Sequence, residues 1–200
     1  MAVEIIYETH QISTANEAGI ATGWLPGRLS AAGRELAREL GERRRHDGFA
    51  AIFSSDLRRA VETAELPFGG QGIPTVQDSR LRECNYGELN GMPVERLAAE
   101  RPRRVAVPYP GGQSYQDVVA ATNDFLRDLA AHWDGSTVLI IAHSANKWAL
   151  DVLLGGVVLE DLIGAPFAWQ AGWRNTLPTG WTGANTDQGT AFVGSGHGAR

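Results

Sequence analysis

The chain has 200 residues, 43% hydrophobic and 20% charged, with a formal net charge of −5. This balance fits one globular domain with a sizeable core and excludes a disordered chain, and the acidic excess argues against a nucleic-acid or anionic-membrane partner. The single cysteine, Cys84, excludes an intrachain disulfide, the start lacks a signal peptide's basic region, and no run approaches the ~20 apolar residues of a membrane span, so a cytoplasmic setting is expected.

In chain order, Val3 to Tyr7 reads as a short buried strand, and the polar, Gly-punctuated stretch after Glu8-Thr9-His10 reads as loop. Ser30 stands as N-cap to a helix over Ala31 to Arg45. Ala50 to Phe53 is a second strand, and the cluster Ser54-Ser55-Asp56 caps a helix running through Glu65. Thr75-Val76 is a third strand, Arg80 to Gly91 a loop and Val94 to Glu100 a short helix. Pro102, Pro108, Pro110, Gly111 and Gly112 argue against regular structure over 101–112.

Gln113 to Trp133 is a long helix with Val118, Val119, Phe125, Leu126 and Leu129 in its apolar stripe. Thr137 to Ala142 is apolar on both faces, as a central parallel strand is, and a helix from Ser144 to Leu154 follows His143. Strands alternating with helices predict a three-layer α/β sandwich, with a mostly parallel central sheet and helices on both faces. The domain is expected over 1–178, and the Gly/Thr/Asn-rich 179–200 is read as a disordered tail. Trp169, Trp173 and Trp181 are placed at the sheet edge, and Trp24 near the site.

Two histidines, His10 and His143, come directly after the two clearest strands. Ligands of open α/β sheets bind beyond the carboxyl ends of the strands, so the pair can share one site if the strands are neighbours. Read singly, each is an ordinary strand-end histidine.

Around these residues the sequence resembles the histidine phosphatase superfamily, with its phosphoglycerate mutase-like fold, over roughly residues 3 to 155. Tyr7 to Asn16 stands at the Arg-His-Gly-Glu motif, and Gly23-Trp24 with Leu29 to Gly33 is similar to the glycine turn and following helix start. Ser54 to Ala64 matches the second motif, Leu81 to Gly91 the acid-bearing loop, Gly112-Gln113-Ser114 a Gly-Glu-Ser helix start and Ile141 to Ser144 the second histidine motif. The order and spacing of these segments carry the resemblance.

The resemblance implies a small phosphomonoesterase acting through phospho-His10 on a small-molecule phosphate. Glu83 is its general acid and base, and His143 donates to the phosphoryl oxygens. Arg59 binds phosphate near a helix start, while Asn16, Gly23, Thr9 and Tyr86 line the substrate's side. The rings of His10 and His143 are then expected within ~6 Å of each other and near Arg59. Alternatives remain: Arg59 as a surface arginine like Arg58, or Glu83 paired with Arg80 or Arg82. No Cys/His/Asp cluster has metal-ligand spacing, so no metal and no other cofactor is expected. Homodimerisation is left open.

The chain departs from the pattern at Thr9, where the motif has Arg, at Gln11 and Ile12, where it has Gly and Glu, and at Ala121, where it has Arg. Lys147 either replaces lost charge or is a solvated helix residue, and Glu8 suits an anion site only if it points away. These departures motivate two other readings, an acid–base enzyme using His10, His143 and Glu83 on a substrate without phosphate, and a non-catalytic binding protein.

Overall fold

The computed structural model describes residues 1–183. Its elements, in chain order, are β1 (Val3–Thr9), α1 (Thr14–Glu17), β2 (Ile20–Ala21), α2 (Ala31–Arg44), β3 (Ala51–Ser54), α3 (Arg58–Phe68), β4 (Thr75–Gln77), β5 (Met92–Pro93), α4 (Val94–Glu100), α5 (Tyr115–His132), β6 (Thr137–Ala142), α6 (Ser144–Gly155), α7 (Leu159–Gly164) and β7 (Trp173–Leu177). Five strands form one sheet in the order β4-β3-β6-β1-β7. All its pairings are parallel except that of β7, which runs antiparallel along β1.

Alternation along the central strands divides the interior in two. Val3, Ile5 and Tyr7 of β1, with Val138, Ile140 and Ala142 of β6, face a core built with α5 and α6. Ile6, Leu139 and Ile141 face the other way, onto Leu40 of α2 and Ala60, Ala64 and Phe68 of α3. The sheet is therefore covered by helices on both sides, as its apolar strands require.

The expected loop after His10 holds two small elements. Ser13 Oγ accepts from the Asn16 amide, and Asn16 Oδ1 accepts from the Ser13 amide, a capping box that starts the one-turn α1. Four residues are too few to show an apolar period, so pattern alone missed the turn. Asp56 does not cap α3. Its N-cap is Leu57, and Asp56 pairs with Arg82. The proline-rich 101–112 contains a 3-10 turn at Arg101–Arg104, because Pro102 sits where a helix start needs no amide.

Two elements near the end were also missed. The short α7 buries only Leu159 and Ile163. Edge strand β7 carries its inward residues at alternate positions, Trp173 to Leu177, among polar ones. Of the expected tail, Trp181 packs partly buried against the main core and Thr179 Oγ1 donates to Asp134, so the domain runs past 178. The rest of the tail, 184–200, lies outside the described residues.

Helices α2 and α3 touch where Gly41 meets Pro67. A Cβ at Gly41 would stand 2.3 Å from Pro67 Cβ. Gly41→Ala is expected to destabilise the fold by about 1–3 kcal/mol, because two packed helices must part. At Gly155 a Cβ meets only Val157 Cγ2, at 3.6 Å, so Gly155→Ala should be neutral or stabilise by up to ~1 kcal/mol. Thermal denaturation of both variants checks this; an unchanged melting temperature for Gly41→Ala would show that the helices separate freely.

Candidate active site

Register brings the two histidines together. Thr9 of β1 pairs with Ala142 of β6, so the next residue on each parallel strand is a histidine, and the His10 amide donates to Ala142 O at 2.9 Å. Their ring centroids are 5.1 Å apart. On the far side of β6, Ser54 pairs with Ile141, which sets Ser55 beyond the end of β3 with its Oγ 2.7 Å from His143 Nε2.

Arg59, on the first turn of α3, reaches between the rings and is almost wholly buried. Its Nε donates to His10 Nε2 at 3.2 Å, and its Nη2 donates to Gly23 O at 2.9 Å and lies 3.5 Å from His143 Nδ1. Nη1 is buried and has no partner among the described residues. Arg58, by contrast, pairs with Glu62 at the surface. Gly23 has φ +50°, and a Cβ there would lie 1.9 Å from Asn90 Oδ1, so only glycine lets this turn bring its carbonyl to the guanidinium.

His10 Nδ1–H donates to Gln11 O at 2.8 Å, which leaves Nε2 with its lone pair toward Arg59. Burial, and then the Arg59 charge, push the His10 pKa down to about 3, against the opposing pull of the Gln11 carbonyl. Burial, Arg59 and His10 also hold His143 well below the usual histidine range. Burial lowers the Arg59 pKa as well. The centre is one guanidinium between two neutral imidazoles.

Glu83 lies on the wall of the same cavity. Arg82 is taken by Asp56, and Arg80 by Asp78 and Asp128, so the expected alternative pairs for Glu83 do not form. Its carboxylate accepts from the Cys84 amide at 2.8 Å and from Ser144 Oγ at 3.1 Å. Trp24 Nε1 donates to the Glu83 carbonyl, and the Arg82 guanidinium lies over the indole at 4.6 Å.

The cavity has a volume of about 580 Å³, and Thr9, His10, Asn16, Gly23, Arg59, Glu83 and Tyr86 all line it. Asn16 spends its Oδ1 on the α1 cap. Thr9 Oγ1 accepts from Trp169 Nε1. Of the named residues His143 alone is absent from the wall, buried behind Arg59.

Sequence reasoning missed several groups. Ser55 reads in the sequence as part of a cap, the Gln11 carbonyl has no side-chain signature, and Ser144 and Trp169 carry no chemical signal of their own. Lys147 is neither a substitute charge nor solvated. It is buried, paired with Asp151, and set 5.3 Å from the Trp173 ring centroid. Glu8 does not line the cavity; it is buried against α2, where Arg44 and Arg43 bind it.

Both histidines resist protonation in the folded chain. As pH falls below ~6.5, the unfolded chain takes up protons that the folded site refuses, so stability declines toward acid until His10 titrates at about 3. Replacing His10 by Asn removes one such group. Between about pH 5.5 and 4, the variant should lose ~1.4 kcal/mol less per pH unit than the wild type. Urea unfolding across that range measures it, and parallel slopes would show that His10 is not held neutral.

Residues 9–166 match the histidine phosphatase superfamily (branch 1). A 2,3-bisphosphoglycerate-dependent phosphoglycerate mutase of Methylobacterium sp. (strain 4-46) is 31% identical over 175 residues, covering 80% of this chain and 84% of that protein. The structure of Bacillus stearothermophilus YhfR superposes with a TM-score of 0.76 at 27% identity, covering 85% of this chain and 88% of that one. A mycobacterial glucosyl-3-phosphoglycerate phosphatase in complex with VO3 gives 0.72 at 26% identity, covering 82% and 87%. With two histidines flanking a buried arginine at the end of a parallel sheet, and a family match across most of its length, the chain belongs to the histidine phosphatase superfamily.

Proposed function

We propose that this protein is a metal-independent phosphomonoesterase that works through phosphorylated His10 on a small-molecule phosphate. The observation that carries the reading is the unpartnered, buried Arg59 Nη1 beside His10 Nε2, whose lone pair accepts only the Arg59 Nε–H. A buried charged donor without a partner is costly, and a phosphoryl oxygen is the acceptor that fits it.

In the first step an arriving phosphoryl group takes over the Arg59 donors and releases Nε2, which attacks phosphorus as the bond to the ester oxygen breaks. Glu83 gives its proton to the departing alcohol. Ser55 Oγ–H, donating to His143 Nε2, directs Nδ1–H toward the phosphoryl oxygens, where charge shifts during transfer. In the second step Glu83 takes a proton from water, the water oxygen bonds to phosphorus, and the N–P bond breaks, restoring neutral His10. Every step uses side chains and water alone. Thr9, in the place of the motif arginine, offers a hydroxyl rather than a second charged clamp.

Mutase chemistry is the second reading, supported by the identity to phosphoglycerate mutases. Length does not separate the two, because the match spans 84% of such a mutase. The cavity wall favours hydrolysis of a less charged ester, since among the described residues its only cationic residue apart from Arg59 is Arg101.

Steady-state assays with 4-nitrophenyl phosphate are expected to show turnover that EDTA leaves unchanged and that His10→Ala abolishes, together with the acid-labile phosphoenzyme. Transfer between positions of phosphoglycerate without release of phosphate would support the mutase instead. Glu83→Gln is expected to slow alkyl phosphates by about 10²–10⁴-fold and aryl phosphates, whose leaving groups need less protonation, by less. Equal losses for both would remove Glu83 from the role of acid.

A further inference from the structure

We infer that Trp169 is a specificity-determining residue, laid against Thr9 so that the cavity selects phosphomonoesters whose alcohol carries an uncharged aromatic or bulky apolar group. The inference rests on the phosphoryl-transfer reading and adds the substrate class.

Trp169 belongs to the segment 165–172 between α7 and β7. Its Nε1–H donates to Thr9 Oγ1 at 3.1 Å, which places the indole one residue from His10. A hydroxyl at position 9 can accept this bond, whereas a guanidinium, having only donors, cannot. The segment is held on both sides. The Phe167 ring lies between Trp148, at 5.9 Å, and Trp173, at 5.8 Å, and Arg44 Nη2 donates to Ala171 O while binding the buried Glu8.

Despite this anchoring, Trp169 remains 58% exposed, and Ile12, another residue of the lining, is 41% exposed. Ile20, Leu36, Val94 and Phe167 complete an apolar wall around the same cavity. Arg59 is committed to the phosphoryl group, and Arg101 packs over Trp148 at 5.5 Å near the Glu83 charge, its buried Nε without a partner among the described residues. Beyond the phosphate, therefore, the cavity offers that single cation set among apolar surface and a fixed aromatic face. A ring or branched alkyl group gains by covering that surface, and a carboxylate-bearing alcohol does not.

Calorimetric titration with 1-naphthylmethylphosphonate, which cannot be hydrolysed, and with inorganic phosphate tests this on wild type, Trp169→Ala and Thr9→Val. Turnover of 1-naphthyl phosphate against 3-phosphoglycerate is measured in parallel. Trp169→Ala is expected to weaken the naphthyl ligand roughly 10- to 100-fold and to leave inorganic phosphate affinity unchanged. Thr9→Val, which frees the indole without removing it, should act in the same direction but less. Equal losses for both ligands, an unchanged naphthyl affinity, or a preference of the wild type for 3-phosphoglycerate would overturn the inference. Trp169-dependent naphthyl binding without turnover of any ester would instead defeat the hydrolase reading and leave the selectivity standing.

Discussion

The charge on Arg59 sits where water hardly reaches, and its hydrogen bonds go to the His10 imidazole and a carbonyl rather than to a carboxylate, with the His143 ring in contact beside it. Such a group constrains everything around it. The imidazoles must stay neutral, because a second cation would meet the guanidinium at contact distance in a poorly screened interior. The Gln11 carbonyl and Ser55 then decide how each ring is oriented. The Gly23 turn must come close enough to give its carbonyl, which excludes a side chain there. What remains unbalanced is positive charge facing a cavity, and that imbalance is what an anionic substrate answers.

Site and core are joined by aromatic packing. Tyr86, Tyr109, Tyr115, Trp148, Phe167, Trp173 and Tyr7 contact one another in succession, each pair with centroids between 5.3 and 6.3 Å. The chain of rings runs from the loop that bears Glu83 to β1, the strand just before His10. Tyr7 closes it by donating to His143 O at 2.5 Å. The acid loop, the segment bearing Trp169 and the strand before His10 therefore share one rigid support, which limits how far any of them shifts alone.

Much of this was legible in the sequence because it follows from short-range rules. Short apolar runs alternating with helices pointed to the parallel sheet, and a histidine directly after the two clearest of them pointed to one end of it. The motif around Arg59 and the loop around Glu83 were readable as ordered segments. Groups acting through the main chain, such as the Gln11 and Gly23 carbonyls, carry no residue-type signal. Ser55 looked like a cap because cap and buried relay use the same hydroxyl. Strand β7 and Trp169 escaped for a different reason: their partners, β1 and Thr9, lie at the other end of the chain, where local patterning has no reach. The same long-range pairing explains Lys147, whose burial depends on Trp173.

The position of β1 between β6 and β7 has a consequence for how the molecule is made. Both flanking strands come from the last third of the sequence, with Val3 opposite Leu177 and Thr9 opposite Ala142. During synthesis, Val3–Thr9 leaves the ribosome with both edges bare, and more than a hundred further residues follow before β6, the first of its partners, exists. A naked apolar segment in that condition invites pairing with strangers. Glu4 and Glu8 interrupt it at alternate turns of the pleat and act as gatekeepers against such pairing. Folding then reassigns them: Glu4 accepts from Thr176 on the arriving edge strand, and Glu8 passes into the grip of Arg44 and Arg43. Charges that guard the nascent strand against aggregation become, once it is paired, part of the fastening of the finished sheet.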